Sequence, residues 1–193
     1  MSTSHIPSRY HSLTIALHWL TLILLVAVYA LIELRGMYPK GSDARELMKH
    51  WHFMLGLLVF VLVLVRLPAR ALFRAPTIAP TPPLWQEWLA KTMHLALYAF
   101  LIGMPLLGWA VLSAKGKVVP FFGLELPALI APDKPLAGTL EDFHKLIGTL
   151  GYWLIGLHAV AALYHHYLMH DNTLRRILPT GSDAPKGKQR CSP

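Results

Sequence analysis

Four stretches of this 193-residue chain hold no Asp, Glu, Lys or Arg: residues 10–32, 50–65, 92–114 and 146–170. At about 1.5 Å of rise per residue, the first, third and fourth are long enough as helices to cross a hydrocarbon layer about 30 Å thick. The second is short and borrows Lys49 and Arg66 as snorkelling ends. Composition agrees, with 54% of residues hydrophobic and 15% charged, against roughly 25% charged in an average soluble domain. That balance excludes both an ordinary water-soluble globule and a disordered chain. The first window reads as a span rather than a secretory signal, because its apolar run exceeds the usual ~7–15 residues and no small-x-small cleavage site follows.

The pattern predicts an all-α, integral-membrane four-helix bundle of up-down topology, with spans near residues 12–32, 50–67, 90–114 and 142–168. These make one domain over 1–179 and leave a flexible polar tail over 180–193. Pro68, Pro76, Pro80, Pro82 and Pro83 break any continuous helix over 68–83, so this connection reads as an extended link. Gly116, Pro120, Gly123, Pro127, Pro132 and Pro135 mark 115–138 as a loop, and its Phe121, Phe122 and Leu124 are expected against the membrane surface. Thr139-Leu140-Glu141-Asp142 has the form of a capping box and predicts a fourth helix that starts about one turn before His144. The lone cysteine, Cys191, sits in the tail, which rules out an internal disulfide and any Cys-x-x-Cys site.

Charge suggests an orientation. The N-terminal arm, the second connection and the tail carry ten Lys and Arg with three acids, while the first and third connections carry eight with seven acids. The positive-inside rule places both termini in the cytoplasm. Distributed around apolar spans, the formal charge of +8 points to a membrane rather than to nucleic acid.

Histidine carries the chemical information, since ionisable groups within spans are costly and usually functional. His144 and His158 lie 14 residues apart on the fourth helix, which puts them on one face with about 21 Å between them along the axis. That separation suits two stacked haems and not a compact zinc site, whose ligands lie within a few ångströms. Each then needs a partner at its own depth. His18, six residues inside the first span, matches His158, and His52, three residues after Lys49, matches His144. Gly148 and Gly151 fall between His144 and His158, and Gly56 lies one turn beyond His52, so a flat macrocycle has room; tight helix packing uses the same residues. His94 is a competing ligand, a propionate partner or a quinone-site residue. His165 and Arg66 are candidate propionate or quinone contacts, with interfacial anchoring as the plain alternative. His5, His11, His50 and His170 read as interfacial residues, and Trp19, Trp51, Trp109 and Trp153 as aromatic belts.

Several of these residues together resemble the bacterial cytochrome b561 family. The likeness covers roughly residues 9–179. It rests on Ala16-Leu17-His18-Trp19-Leu20, on Glu33-Leu34-Arg35-Gly36 followed by Pro39, on His52 with Arg66, and above all on Leu150 through Ala159 continuing to His165-His166-Tyr167 and Asp171-Asn172-Thr173-Leu174. Lys91 stands where some relatives carry a second histidine. The resemblance implies two haem b groups with iron held axially by His18 and His158 and by His52 and His144. It further implies a multi-pass protein of the bacterial inner membrane, in contact with lipid, that exchanges electrons with ubiquinone. The chain is similar in particular to superoxide-oxidising members, which implies an oxidoreductase taking electrons from superoxide, or another periplasmic donor, and reducing ubiquinone. Lys115, Lys117, Lys134, Lys145 and Arg35 are placed to steer an anion on that side, or form an ordinary solvated surface. The alternatives are a cytochrome b subunit anchoring a separate dehydrogenase to the quinone pool, a bundle that binds no haem, and a protein running in the reverse direction as a quinol oxidase.

Overall fold

In hydrocarbon an unpaired backbone N–H or C=O costs several kcal/mol, so apolar windows of this kind cross only as helices or within closed barrels. They cross as helices. The structure, a computed structural model, describes residues 8–179. Helix α1 spans Ser12–Leu34 and runs into a 3₁₀ turn at Arg35–Met37; α2 spans Asp43–Leu72, α3 Leu84–Ala114 and α4 Lys134–Tyr167. All four are long and apolar enough to cross a membrane. The chain is thus an up-down, multi-pass helical bundle. Its start, the α2–α3 connection and the segment after α4 lie at one end, here the terminal end, and the other two connections lie at the opposite, hairpin end. Ile23, Val26, Leu64, Leu95, Trp153 and Val160 all point outward, an apolar surface that lipid covers and water would not tolerate. The expected tail over 180–193, with Cys191, and also His5, lie outside the described residues.

The helices overrun their apolar windows. Helix α2 starts at Asp43, where the Ser42 hydroxyl accepts from the Arg45 N–H at 3.4 Å, and it continues through Pro68 to Leu72. The expected break at Pro68 does not occur; Ala69 in that last turn is buried, and its packing outweighs the bond that proline withholds. Helix α4 starts earlier than the sequence suggests. Asp133 caps it by accepting from the Leu136 N–H at 3.0 Å, and Pro135 sits in the first turn, where no N–H is needed. Thr139 is therefore inside the helix, its hydroxyl turned back onto the Pro135 carbonyl.

The 115–138 connection is more ordered than a loop. Strands β1 (Val119–Phe121) and β2 (Leu124–Leu126) pair antiparallel, Val119 opposite Leu126 and Phe121 opposite Leu124. Between them Phe122 and Gly123 have φ of 45° and 87°, the two-residue turn with positive φ at both positions that matches strand twist. Val119 is buried with Leu57 and Leu112, and Phe121 packs against that cluster. The hairpin is thus seated on α2 and α3, leaving Phe122 and Leu124 exposed. A small antiparallel ribbon is therefore added to an otherwise all-α fold.

Neighbouring helices pack in chain order, α1 on α2, α2 on α3 and α3 on α4. No Cα of α4 comes within 8 Å of α1 or α2, so one side of the bundle is an open seam bridged by side chains. At mid-height it is filled. The Tyr29 hydroxyl donates to the Gly148 carbonyl at 2.8 Å, and a Cβ placed on Gly151 would collide with the Tyr29 hydroxyl and the Phe100 ring.

At the terminal end the segment after α4 folds back as a clamp. Asn172 accepts from the Ala79 N–H at 2.9 Å and donates to the Thr77 carbonyl at 3.2 Å, and Arg176 donates to the Pro76 carbonyl at 2.5 Å. The Trp19 indole N–H donates to the Ile177 carbonyl at 2.7 Å, and the Tyr10 N–H to the Arg176 carbonyl at 3.1 Å.

Substitution Gly151→Ala should lower stability by about 1–3 kcal/mol through overpacking against Tyr29 and Phe100. Gly103→Ala, where a Cβ meets nothing within 4 Å, should be neutral or stabilising by up to about 1 kcal/mol, because alanine favours helix. Thermal unfolding of the two variants in the same detergent measures the contrast.

Candidate functional site

Two pairs of imidazoles face each other across the seam. His18 of α1 and His158 of α4 have ring centres 6.5 Å apart with an interplanar angle of 68°. His52 of α2 and His144 of α4 are 6.3 Å apart at 77°. The depth arithmetic on the sequence pairs the same residues. Two imidazoles that grip one metal ion from opposite sides, with metal–nitrogen bonds of about 2.0 Å and about 1.1 Å more to each ring centre, stand about 6 Å apart. Both pairs have that spacing without touching.

The hairpin-end pair opens into a cavity of about 840 Å³, lined by His52, His144, Gly56, Gly108, Gly148 and Tyr29 among others. This lies within the ~300–1,000 Å³ of small-molecule sites. His52 is oriented by donating its Nδ1–H to the Val28 carbonyl at 2.9 Å, which leaves Nε2 with a free lone pair, the usual outer-shell arrangement of a ligating histidine. His144 is set by a glycine that sequence reasoning missed. A Cβ on Gly108 would stand 3.2 Å from the His144 Cε1, so α3 lets the ring lie against its backbone. The buried His144 Nδ1 has no hydrogen-bond partner among the described residues. A Cβ on Gly56 would meet nothing within 4 Å and one on Gly148 only the end of Met104; both glycines border the open cavity.

Fit to a macrocycle follows from the donor set. Among the described residues no three of His, Cys, Asp and Glu come together as a bare metal site. Paired imidazoles supply two axial donors and leave the equatorial positions to a ring such as porphyrin.

The remaining candidates group at the terminal end. The Arg66 Nη2 lies 2.8 Å from His18 Nδ1 with its guanidinium over the Tyr98 ring. His94 faces His158, ring centres 5.6 Å apart at 72°, and donates from Nδ1 to the Ala90 carbonyl at 2.6 Å. His165 is paired elsewhere, its Nδ1 2.6 Å from Asp171 Oδ2. Burial pushes the Asp171 pKa up, but the Thr173 N–H and the His165 ring outweigh it and hold the carboxyl below its ordinary 3.8. His11 caps α1, accepting from the Leu13 N–H, and stacks on Phe73 at 3.8 Å.

Around the cavity mouth the cations divide. Lys115 and Lys145 are ion-paired to Glu141, and Lys49 to Glu46. Arg35, Lys40, Arg45 and Lys117 also line it and have no ion pair among the described residues; Arg45 donates instead to the Arg35 and Tyr38 carbonyls. Lys134 is not among the cavity residues. Lys40 and Arg45 were not singled out from the sequence; the 3₁₀ turn after α1 brings the Lys40 loop, and with it the first turn of α2 that carries Arg45, to the cavity.

A family model described as Prokaryotic cytochrome b561 matches residues 9–180. The chain is 39% identical over 172 residues to Cytochrome b561 homolog 1 of Escherichia coli (strain K12), spanning 89% of this chain and 98% of that protein. It is 37% identical over 171 residues to Probable superoxide oxidase CybB of Yersinia pestis, 89% of this chain and 96% of that one. Cytochrome b561 homolog 2 of Escherichia coli (strain K12) is 31% identical over 197 aligned positions, 94% and 97% of the two chains.

A carboxylate whose pKa is depressed on folding stabilises the fold above its unfolded value, and that stability is lost as pH falls below it. Asp171→Asn should therefore cost about 1–3 kcal/mol at pH 7 and progressively less as pH falls below 3.8. Detergent unfolding across pH 3–7 reads both; a deficit that does not change with pH would contradict the charge-based account.

Proposed function

The chain belongs to the prokaryotic cytochrome b561 family, and from that premise we propose that it is a di-haem oxidoreductase that takes electrons from superoxide and delivers them to ubiquinone. Membrane electron transfer with haem b is the family's business. The observation that carries the finer reading is the pair of cross-seam imidazole couples at two heights, each with the spacing of a shared axial metal. Bound there, b-type haem supplies reversible one-electron transfer. His18 and His158 would hold one group at the terminal end, and His52 and His144 the other at the hairpin end. Held between two imidazoles, such a group would supply electron transfer by contact rather than oxygen binding.

Other residues fit that assignment. Arg66 is a largely buried cation with no ion pair among the described residues, the kind of group a haem propionate satisfies. Arg35, Lys40, Arg45, Lys49, Lys115, Lys117 and Lys145 outnumber Glu33, Glu46 and Glu141 around the hairpin-end cavity, and that net positive charge would concentrate an anion as small as superoxide through the local field. Two superoxide ions yield two molecules of O₂ and two electrons, and ubiquinone takes up those electrons with two protons to leave as ubiquinol. On this reading both termini face the cytoplasm, the hairpin end faces the periplasm, and the protein sits in the inner membrane among lipids.

Haem quantification with a reduced-minus-oxidised spectrum tests the frame. Two haems per chain are expected, with one lost in His52→Ala and one in His144→Ala; a colourless protein would sink the proposal. Steering has its own readout. Superoxide-dependent quinone reduction should fall as ionic strength rises through the range where the Debye length shrinks from ~30 to ~8 Å. In a Lys117→Glu/Arg45→Glu variant it should be several-fold slower and nearly insensitive to salt.

A further inference from the structure

We propose that Tyr152 and Glu33, which bridge the α1–α4 seam at the hairpin end, form the subsite where the head of ubiquinone docks and is protonated. The inference rests on the quinone-reducing reading and adds where the acceptor binds and which residues supply its protons. It places that step at the opposite end of the bundle from Arg66, His94 and His165.

Three observations carry it. First, only side chains separate the hairpin-end cavity from the bilayer along this seam. No Cα of α1 comes within 8 Å of α4, and Tyr29, Glu33, Thr149 and Tyr152 line the cavity from the two helices. Tyr152 remains 44% exposed beside the outward-pointing Trp153, so a quinone arriving through lipid meets this phenol at the edge of the cavity that holds His52 and His144. Superoxide, arriving through water, meets the charged mouth instead. Second, a proton path leads from the phenol to the membrane edge. The Tyr152 hydroxyl donates to Glu33 Oε1 at 2.8 Å. Glu33 is the first ionisable residue beyond the apolar window of α1, and its exposed carboxylate has no ion pair among the described residues. Third, the helices are already tied without that bond. The Tyr29 hydroxyl donates to the Gly148 carbonyl at 2.8 Å, and the Tyr29 ring packs on that of Tyr152 with centres 4.3 Å apart. Tyr29 therefore positions the Tyr152 ring and leaves the second hydroxyl to chemistry.

A phenol donates and accepts at once. In the step, the Tyr152 O–H turns to a quinone carbonyl oxygen and accepts from a protonated Glu33. As an electron enters the quinone, the phenolic O–H bond breaks and a quinol O–H bond forms. The Glu33 proton restores the phenol, and water at the cavity mouth restores Glu33. Two such passages, with the two electrons given up by two superoxide ions, convert ubiquinone to ubiquinol. Tyr152 is the catalytic residue of this step, and Glu33 acts through it.

The test uses the full-length, haem-loaded protein in lipid nanodiscs, with short-chain ubiquinone as the probe and haem absorbance followed by stopped flow in two separate steps. Tyr152→Phe keeps the ring on Tyr29, and Glu33→Gln keeps an acceptor for the Tyr152 hydroxyl. In both, reduction by superoxide should run at the wild-type rate, while reoxidation by ubiquinone should be about 100-fold slower. A second readout needs no turnover: a photoreactive azido-ubiquinone should label residues 29–33 and 149–153 of the wild type and be displaced by excess ubiquinone. Wild-type reoxidation in both variants, equal slowing of both steps, or label confined to other segments would each overturn the proposal. Dithionite in place of superoxide keeps the reoxidation step readable whatever the donor. A wild type that ubiquinone does not reoxidise defeats the quinone-reducing reading itself, whereas normal reoxidation in the wild type and in both variants defeats only this subsite.

Discussion

The separation of α4 from α1 and α2 is the constraint on which the rest of this structure depends. Helices in a bundle ordinarily close to interaxial distances of about 8–10 Å, and lipid offers no hydrophobic reward for leaving a gap between them. Here the gap is kept open by what stands in it. Imidazoles reach across near each end, while Tyr29 and Phe100 occupy the middle against Gly151. Removing bulk at Gly108 and Gly151 is as much a part of this arrangement as adding histidines, because a ring lies flat on a helix only where no Cβ intervenes.

The two ends of the seam are finished differently. At the hairpin end, β1 and β2 sit on α2 and α3 and leave the cavity bordered by charged groups. At the terminal end, the chain after α4 covers the helix ends with hydrogen bonds, and His165 is committed to Asp171 within that cover. One end is therefore bordered by charge and the other tied down by hydrogen bonds.

Much of this was legible in the sequence, for one reason: lipid forces an apolar window to be a helix, and a helix is a ruler. Depth along it could be counted, and the counted partners, His18 with His158 and His52 with His144, are those that face each other. Rotation about the axis could not be counted. That is why His94, read as a competing ligand, a propionate partner or a quinone-site residue, was not seen to face His158, and why Gly108 went unnoticed on a helix with no matched histidine. Helix ends were misjudged where interfacial packing and caps outweighed composition, at Pro68 and at Asp133. The clamp was invisible because it joins residues such as Asn172 and Thr77, whose polar side chains say nothing by themselves about which distant carbonyl they will meet.

That clamp has a consequence for biosynthesis. It is tied together from Tyr10 and Trp19 near the beginning of the chain, residues 76–79 in the middle and residues 172–177 near the end. A nascent chain whose residues 172–177 are still inside the ribosome cannot close it. Until they emerge, α4 packs on α3 alone among the other helices, and the space beside it remains free to widen and admit a bulky guest before the latch sets.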